Sequence, residues 1–454
     1  MPKRKRDQCA PEPKDGLSAH TFTCSTSGLV VMLFFSGDKY CFYGTAKIQC
    51  LAGEFYVDDC KMPSGENIDF DSMRHVCAPY RLSRPAVLRT VPGNEDAPKY
   101  KLARLKYRLK EITPHFERIM EVIGEKYPAV VLVDRKPSQT VHVLDQVLQD
   151  FFVPSWLRPS CQFDRTVYFT ADFDLYTDNS LYSLRGAMKD VNNQRAEGKR
   201  VVVVPVGSCG SGKSSLVRYL VNTNFKRDGP EIYLLDADVG QSEFTPAGCM
   251  SLWKIADVVL DVPCTHQAQV FPCSYFFGNI SPADDTDKYR EIFDQLMNDF
   301  HAASEPGALL IVNTLGWIEG LGLELLRHIF DVSRPALAIS LSHDRGCSLV
   351  PRWVPLRIEV STRFAPSCHH LKVPEEYSYP SRLVAYQLRD LAMVSYFSPV
   401  LPRPVLSSIC DTTPYCVKFE YVRCCHYARE INLILTISIS IFVKRCIRKR
   451  VHLK

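Results

Sequence analysis

Val201-Val-Val-Val-Pro-Val-Gly207-Ser-Cys-Gly-Ser-Gly-Lys213-Ser-Ser215 decides the fold of this chain. Four β-branched residues in succession predict a buried strand. Gly207 to Ser214 then match G-x-x-x-x-G-K-[ST] at every position. Leu216-Val-Arg-Tyr-Leu-Val221 continues with apolar residues at helical spacing. Strand, glycine-rich turn, lysine with hydroxyl, then helix predicts a P-loop, whose backbone N–H groups face phosphates together with the helix N-terminus. Gly207, Ser208, Cys209, Gly210, Ser211, Gly212, Lys213, Ser214 and Ser215 are therefore the candidate nucleotide-binding residues. Lys213 is expected to reach the β/γ oxygens and the Ser214 hydroxyl to bind Mg²⁺.

Working outward, Ile232-Tyr-Leu-Leu-Asp236-Ala-Asp238-Val-Gly-Gln241 is an apolar strand ending in acids. P-loop proteins place there the carboxylate that organises Mg²⁺ and the nucleophile. Asp236 and Asp238 stand at i and i+2, so on a continuing strand they face the same way. A strand-end aspartate closing a turn is the structural alternative. The distance from the glycine-rich loop favours chemistry, with Asp238 as general base for an attacking hydroxyl and Asp236 beside the metal.

From about 200 to 345 strands at 201–206, 231–236, 308–312 and 336–341 alternate with helical stretches at 213–222, 287–303 and 320–331. That alternation predicts an α/β fold, a P-loop NTPase parallel sheet flanked by helices. Before it, 21–190 reads as a β-rich domain of hairpins (LVVMLFF, KYCFYG, AKIQCLAGEFYV) with a helical insert over 100–126. Residues 191–400 form the P-loop domain with its lid region, and 401–454 a shortened, atypical C-terminal β-rich region. Residues 1–20 are polar, charged and read as a disordered basic tail.

The chain has 454 residues, enough for about three domains. With 46% hydrophobic and 23% charged residues its composition is that of an ordinary globular protein. A net charge of +5 is too mild to establish a polyanionic partner. The basic residues cluster at Lys3-Arg4-Lys5-Arg6 and at 444–450, as solvated tails, nuclear-import signals or phosphate contacts. Eighteen cysteines are scattered without a C-x-x-C pair, and Cys424-Cys425-His426 lacks zinc-ligand spacing. Reduced thiols in a nuclear or cytosolic compartment are expected. Ile431–Val443 is shorter than the roughly 18–20 residues that span a bilayer, so a buried strand fits it better than a tail anchor.

Asp-x-Asp-x-Gly-Gln followed by Ser242-Glu-Phe-Thr-Pro246 resembles the RNA 5′-hydroxyl kinases of the nucleolar, pre-ribosomal-RNA-processing type, relatives of the messenger-RNA cleavage-factor kinase. Tyr275-Phe-Phe-Gly-Asn-Ile-Ser-Pro282 is similar to that family's phosphate-clasp segment, with Ser281 at the hydroxyl position. Ile311-Val-Asn-Thr-Leu-Gly-Trp317 is similar to its Asn-Thr-x-Gly-Trp motif, and Leu388-Arg-Asp-Leu resembles its lid helix. The resemblance implies ATP as donor, RNA with a 5′-hydroxyl end as acceptor, and Gln241, Ser281 and Trp317 as RNA contacts. It also implies a nucleolar location, ribosomal-RNA processing and an endoribonuclease partner. Trp317 either stacks a nucleobase or covers the sheet. Arg389, with Arg382, either offsets charge on the transferring phosphoryl group or is a helix-surface cation.

The chain departs from the family pattern over 351–378, where the arginine-rich lid is not found, and again after about 425. A catalytically weak nucleotide-binding scaffold of a nuclease complex is therefore the competing expectation. A small-nucleoside kinase is a further one. No Asn-Lys-x-Asp motif supports a GTPase switch.

Overall fold

The computed structural model describes residues 21–24, 28–64, 73–82, 85–90, 101–124, 126–134, 136–153, 166–169, 178–270, 272–343, 366–373 and 383–401. The expectations for the basic tail, Arg382, the Cys-Cys-His cluster, Ile431–Val443 and the C-terminal region fall outside these residues.

The first sheet is built from β1 (Thr21–Thr23), β2 (Leu29–Phe34), β3 (Lys39–Ala52), β4 (Tyr56–Val57), β5 (Cys60–Lys61), β6 (Arg74–Ala78), β7 (Ala86–Arg89), β8 (Ala129–Asp134) and β9 (Thr166–Phe169). Its order is β1-β2-β8-β3-β7-β4-β5, with β6 and β9 also on β3. Two helices, α1 (Leu102–Ile112) and α2 (Phe116–Ile123), occupy the insert. Hairpin arms were expected for the β2 and β3 runs, and the sheet is arranged differently. The KYCFYG and AKIQCLAG runs are one strand, which changes partners at Gly44 with φ 121°. β8 lies between β2 and β3, and its Ala129–Val133 run is buried on both faces. So apolar a segment takes a central place whatever its separation in sequence.

The second sheet comprises β10 (Val201–Val206), β11 (Ile232–Asp236), β12 (Cys249–Lys254), β13 (Ser274–Phe276), β14 (Leu309–Asn313), β15 (Leu337–His343) and β16 (Ser367–Val373), ordered β13-β12-β11-β14-β10-β15-β16. The run from β11 to β16 is parallel; β12 and β13 add an antiparallel edge. Val202 and Val204 pack with Phe293 and Leu326 on the side of α6 (Thr286–Ala303) and α7 (Leu321–Ser333). Val201 and Val203 pack with Leu216 and Val191 on the side of α4 (Asp178–Ala196) and α5 (Lys213–Asn224). This is the α/β P-loop architecture the alternation predicts.

Pro205 sits inside the central strand. The β10–β14 ladder ends at Val203↔Ile311, while the ladder to β15 runs on to Val206↔Ser340. Proline has no N–H to give, and the Thr314 hydroxyl donates to the Pro205 carbonyl at 2.7 Å. The strands part at the crevice where open α/β sheets hold their ligands.

Two remaining helices, α3 (Gln139–Val147) and α8 (Ala385–Phe397), close the seam between the sheets. Leu383 and Leu391 join Cys41, Tyr43, Val141 and Val262 in one buried cluster drawn from both halves. The Cys77 N–H donates to Leu260 O across the seam at 3.1 Å. Among the described residues no helix is long and apolar enough to cross a membrane, and no cysteine is in a disulfide.

Candidate active site

The glycine-rich loop leaves β10 at Val206 and enters α5 at Lys213. A Cβ on Gly207 would crowd the Ser211 hydroxyl and lie 3.2 Å from Leu341 O, so the bare backbone lets the loop close tightly here. Gly210 and Gly212 take φ of 73° and 94°, the left-handed region that lets the loop curl before the helix. Ser208, Cys209 and Gly210 are exposed, while Ser214 and Ser215 are half-buried on the first turn. Ser211 Oγ is buried without a hydrogen-bond partner among the described residues. An orphaned hydroxyl under curled backbone suits an oxyanion. Lys213, 7% exposed, donates from Nζ to the carbonyls of Gly207 (2.9 Å) and Ser208 (3.1 Å). Burial pushes its ammonium pKa down, and the nearby Asp238 carboxylate opposes that.

β11 delivers the acids, with one change from the i, i+2 expectation. The strand ends at Asp236, and Asp238 stands in a turn of its own making. Its Oδ1 accepts the N–H groups of Gly240 (3.0 Å) and Gln241 (3.1 Å), an aspartate-built turn that competes with extended backbone. Both turn amides bind Oδ1, so Oδ2 is the oxygen left for a proton. Burial raises the Asp238 pKa and Lys213 works against that rise. Asp236 is fully buried. Its Oδ1 accepts from Asn313 Nδ2 at 2.9 Å and from the Asp238 N–H at 3.3 Å, and its Oδ2 accepts from the Glu243 N–H at 2.6 Å. Desolvation, with Asp238 adding repulsion, pushes its pKa up to about 7.

Trp317 follows β14 on the other side of the crevice. A Cβ on Gly316 would lie 2.9 Å from Cys209 Cα, so this loop rests directly on the glycine-rich loop. A Cβ on Gly322 would lie 2.5 Å from Trp317 Cγ, so α7 begins against the half-buried indole. Ser281 caps the 3-10 turn Pro282–Asp284 by accepting from the Ala283 N–H. Its neighbour Ile280 brings a carbonyl to 3.0 Å from where a Gly240 Cβ would be, which joins the Ser281 segment to the Asp238 turn. Gln241 is exposed on that turn. Arg389 lies half-buried on α8, which packs on the 3-10 turn Pro263–Thr265 and on α3. It makes no hydrogen bond or ion pair with the described loop residues. Thus the glycine-rich loop, both acids, Trp317 and the Ser281 segment share one edge of the sheet, and among the described residues no hydrogen bond or ion pair joins Arg389 to them.

A chain of buried charges that sequence reasoning missed supports the acids from below. Glu243, 2% exposed, accepts from Arg218 Nη1 on α5 at 3.0 and 3.2 Å. His266 Nε2 lies 3.1 Å from Glu243 Oε1, and His266 Nδ1 lies 2.5 Å from Asp261 Oδ1. Asp261 Oδ2 is 3.0 Å from His75 Nδ1 on β6, and His75 Nε2 is 2.8 Å from Thr45 Oγ1 on β3. An imidazole between two carboxylates carries both protons. Burial opposes that charge, but Asp261 and Glu243 lift the His266 pKa to about 10. Burial likewise opposes the Glu243 and Asp261 anions, and their cationic neighbours hold both carboxyls below the usual range. Glu243 stands five residues after Asp238, close enough for the sequence to have signalled it. The partners come from three places in the chain, His75 on β6, Arg218 on α5, and Asp261 with His266 on either side of the 3-10 turn Pro263–Thr265, and only the fold brings them together.

Residues 207–399 match the family described as mRNA cleavage and polyadenylation factor CLP1 P-loop. The chain is 33% identical over 407 residues to the polynucleotide 5′-hydroxyl-kinase nol-9 of Caenorhabditis elegans, covering 89% of this chain and 72% of that relative. It is 33% identical over 396 residues to the Caenorhabditis briggsae protein of the same name, covering 86% and 70%. The Homo sapiens polynucleotide 5′-hydroxyl-kinase NOL9 is 28% identical over 287 residues, covering 54% and 40%. The fold is similar to that in a solved structure of wild-type Clp1p with a Pcf11p segment, at TM-score 0.50 and 13% identity, over 87% of this chain and 76% of the other.

Proposed function

The chain belongs to the polynucleotide 5′-hydroxyl-kinase family, and we propose that it transfers the terminal phosphate of ATP to the 5′-hydroxyl end of RNA. The observation that carries this is a buried lysine held under the glycine-rich loop by the Gly207 and Ser208 carbonyls, with the Asp238 carboxylate, aimed by its own turn, near enough for the two charges to act on each other. Lys213 and the loop amides hold the triphosphate, with the orphaned Ser211 hydroxyl available as a further donor. Asp238 Oδ2 takes the proton of the attacking 5′-hydroxyl, and the turn amides on Oδ1 fix the carboxylate's direction. Positioning and electrostatics supply the rate, and no covalent intermediate is required.

A hydroxyl and carboxylates beside a phosphate cradle suit Mg²⁺, which when bound supplies charge neutralisation to the phosphates. Ser214, on the first turn of α5, would supply its hydroxyl ligand. Asp236 has both oxygens taken by N–H donors, so it serves the ion by holding Asp238 and Asn313 in place. Trp317 stacks a nucleobase without reading its identity, and Gln241 and Ser281 contact the strand near its end. A division into a β-rich domain over 21–190 and a kinase domain over 191–400 goes with this reading. So do nucleolar ribosomal-RNA processing and an endoribonuclease partner that generates the 5′-hydroxyl.

A weakly catalytic scaffold subunit is the second reading, favoured by Arg389 making no hydrogen bond or ion pair with the described loop residues. Incubation with γ-labelled ATP and a 5′-hydroxyl oligoribonucleotide separates the two. Label should enter the oligomer with wild type and drop by about 10²-fold or more for Asp238→Asn, within the range lost with a general base. Retained ATP binding without transfer by wild type would favour the scaffold.

A further inference from the structure

The geometry points to Phe276 as a second stacking platform for a base of the substrate strand, on the far side of Asp238 from Trp317. The inference rests on the kinase reading and adds a subsite to it.

Phe276 ends β13, the outer strand of the second sheet. Cys249 pairs with Phe276 and Ser251 pairs with Asp236. Directly opposed residues project on one face, and alternate residues return to it. Phe276, Cys249, Ser251 and Asp236 therefore share a face. The intervening pair, Met250 and Tyr275, packs into the opposite cluster with α6 and α7. Phe276 thus stands on the face that carries α5, at the edge where β11 presents its acids. Two strand spacings separate it from β11, about 10 Å, within reach of the first nucleotides behind a 5′ end held at Asp238.

Its setting leaves the ring available. Phe276 is 63% exposed. A Cβ on Gly248 would lie 3.8 Å from the ring and one on Gly278 3.5 Å from it, so two glycines bed the ring on bare backbone. Ile280, 52% exposed, continues the apolar strip to the Asp238 turn through its carbonyl against Gly240. Single exposed apolar residues are ordinary. An aromatic on a glycine bed, exposed on the face of the acid, fits a stacked base. A stacked base is read by its π-face alone, so the subsite favours longer strands without favouring a sequence.

The test compares wild type, Phe276→Ala and Phe276→Trp on adenosine 3′-monophosphate and on 5′-hydroxyl oligoadenylates of increasing length. Phe276→Ala should raise KM for the oligomers by about 5- to 100-fold, with KM for ATP and for the mononucleotide unchanged, and Phe276→Trp should restore the oligomer value. Equal KM ratios at every length would overturn the platform, as would loss of a protein partner with oligomer kinetics intact. If wild type phosphorylates no 5′-hydroxyl, the kinase reading fails separately. Fluorescence anisotropy of a labelled oligomer then still decides, because equal affinity in wild type and Phe276→Ala refutes the subsite.

Discussion

His266 is a cation made by its neighbours. Its ordinary pKa of 6.5 rises to about 10 in the fold, with Asp261 and Glu243 outweighing burial. A histidine whose folded pKa is raised stabilises fully below 6.5, and that contribution drains away as pH climbs to about 10. Glu243 and Asp261 have depressed pKa values, so their contribution is lost only at the acid end. Thermal melts of wild type and His266→Gln should therefore differ most near pH 6 and converge toward pH 10. A gap that stays constant across that window would show that His266 is neutral in the native state. The buried cluster pairs Arg218 and His266 with Glu243 and Asp261, so removing one member leaves another charge unmatched, a costly change in a dry site.

At the scale of elements, the loop after β14 rests on the loop after β10 at Gly316. Gly316→Ala would place a methyl 2.9 Å from Cys209 Cα and 3.0 Å from its nitrogen, both backbone atoms with little freedom to yield. Overpacking of this kind costs about 1–3 kcal/mol. Because the strain falls on the glycine-rich loop, isothermal titration should show weakened ATP binding, with circular dichroism unchanged. Unaltered ATP affinity would mean the two loops move independently. The sequence made β10, β11, β14, β15 and their helices legible, since each is a run of apolar residues with its own period. It hid β12, β13 and β16. Cys249–Lys254 and Ser274–Phe276 are short and amphipathic, and Ser367–Val373 carries His369, His370 and Lys372, so only sheet pairing makes them strands. At the site, Lys213 and Asp238 were readable from motif spacing. Asn313 lay inside a recognised motif and Glu243 just beyond Asp238, but what they do was not readable, because it comes from hydrogen bonds to Asp236 across 77 and 7 residues.

Across the whole molecule, the β-rich half and the nucleotide-binding half are joined by more than apolar contact. Arg74 meets Asp257 at 2.7 Å, His75 meets Asp261, and Val76 bridges to Leu260, all from β6. Through His266 and Glu243 this seam reaches the N–H that holds Asp236. His75→Ala should lower kcat by about tenfold, since small displacements of a reacting group are felt strongly, while KM for ATP holds. His75→Asn should recover much of it, its amide nitrogen standing where Nδ1 donates. If His75→Ala and His75→Asn behave alike, the seam does not reach the acid.

That strut changes how a sequence variant in this protein should be judged. A lesion at Thr45 or His75, remote from any phosphate and harmless to yield or solubility, would surface as a sluggish catalyst. Screening such alleles by abundance alone would pass them as benign.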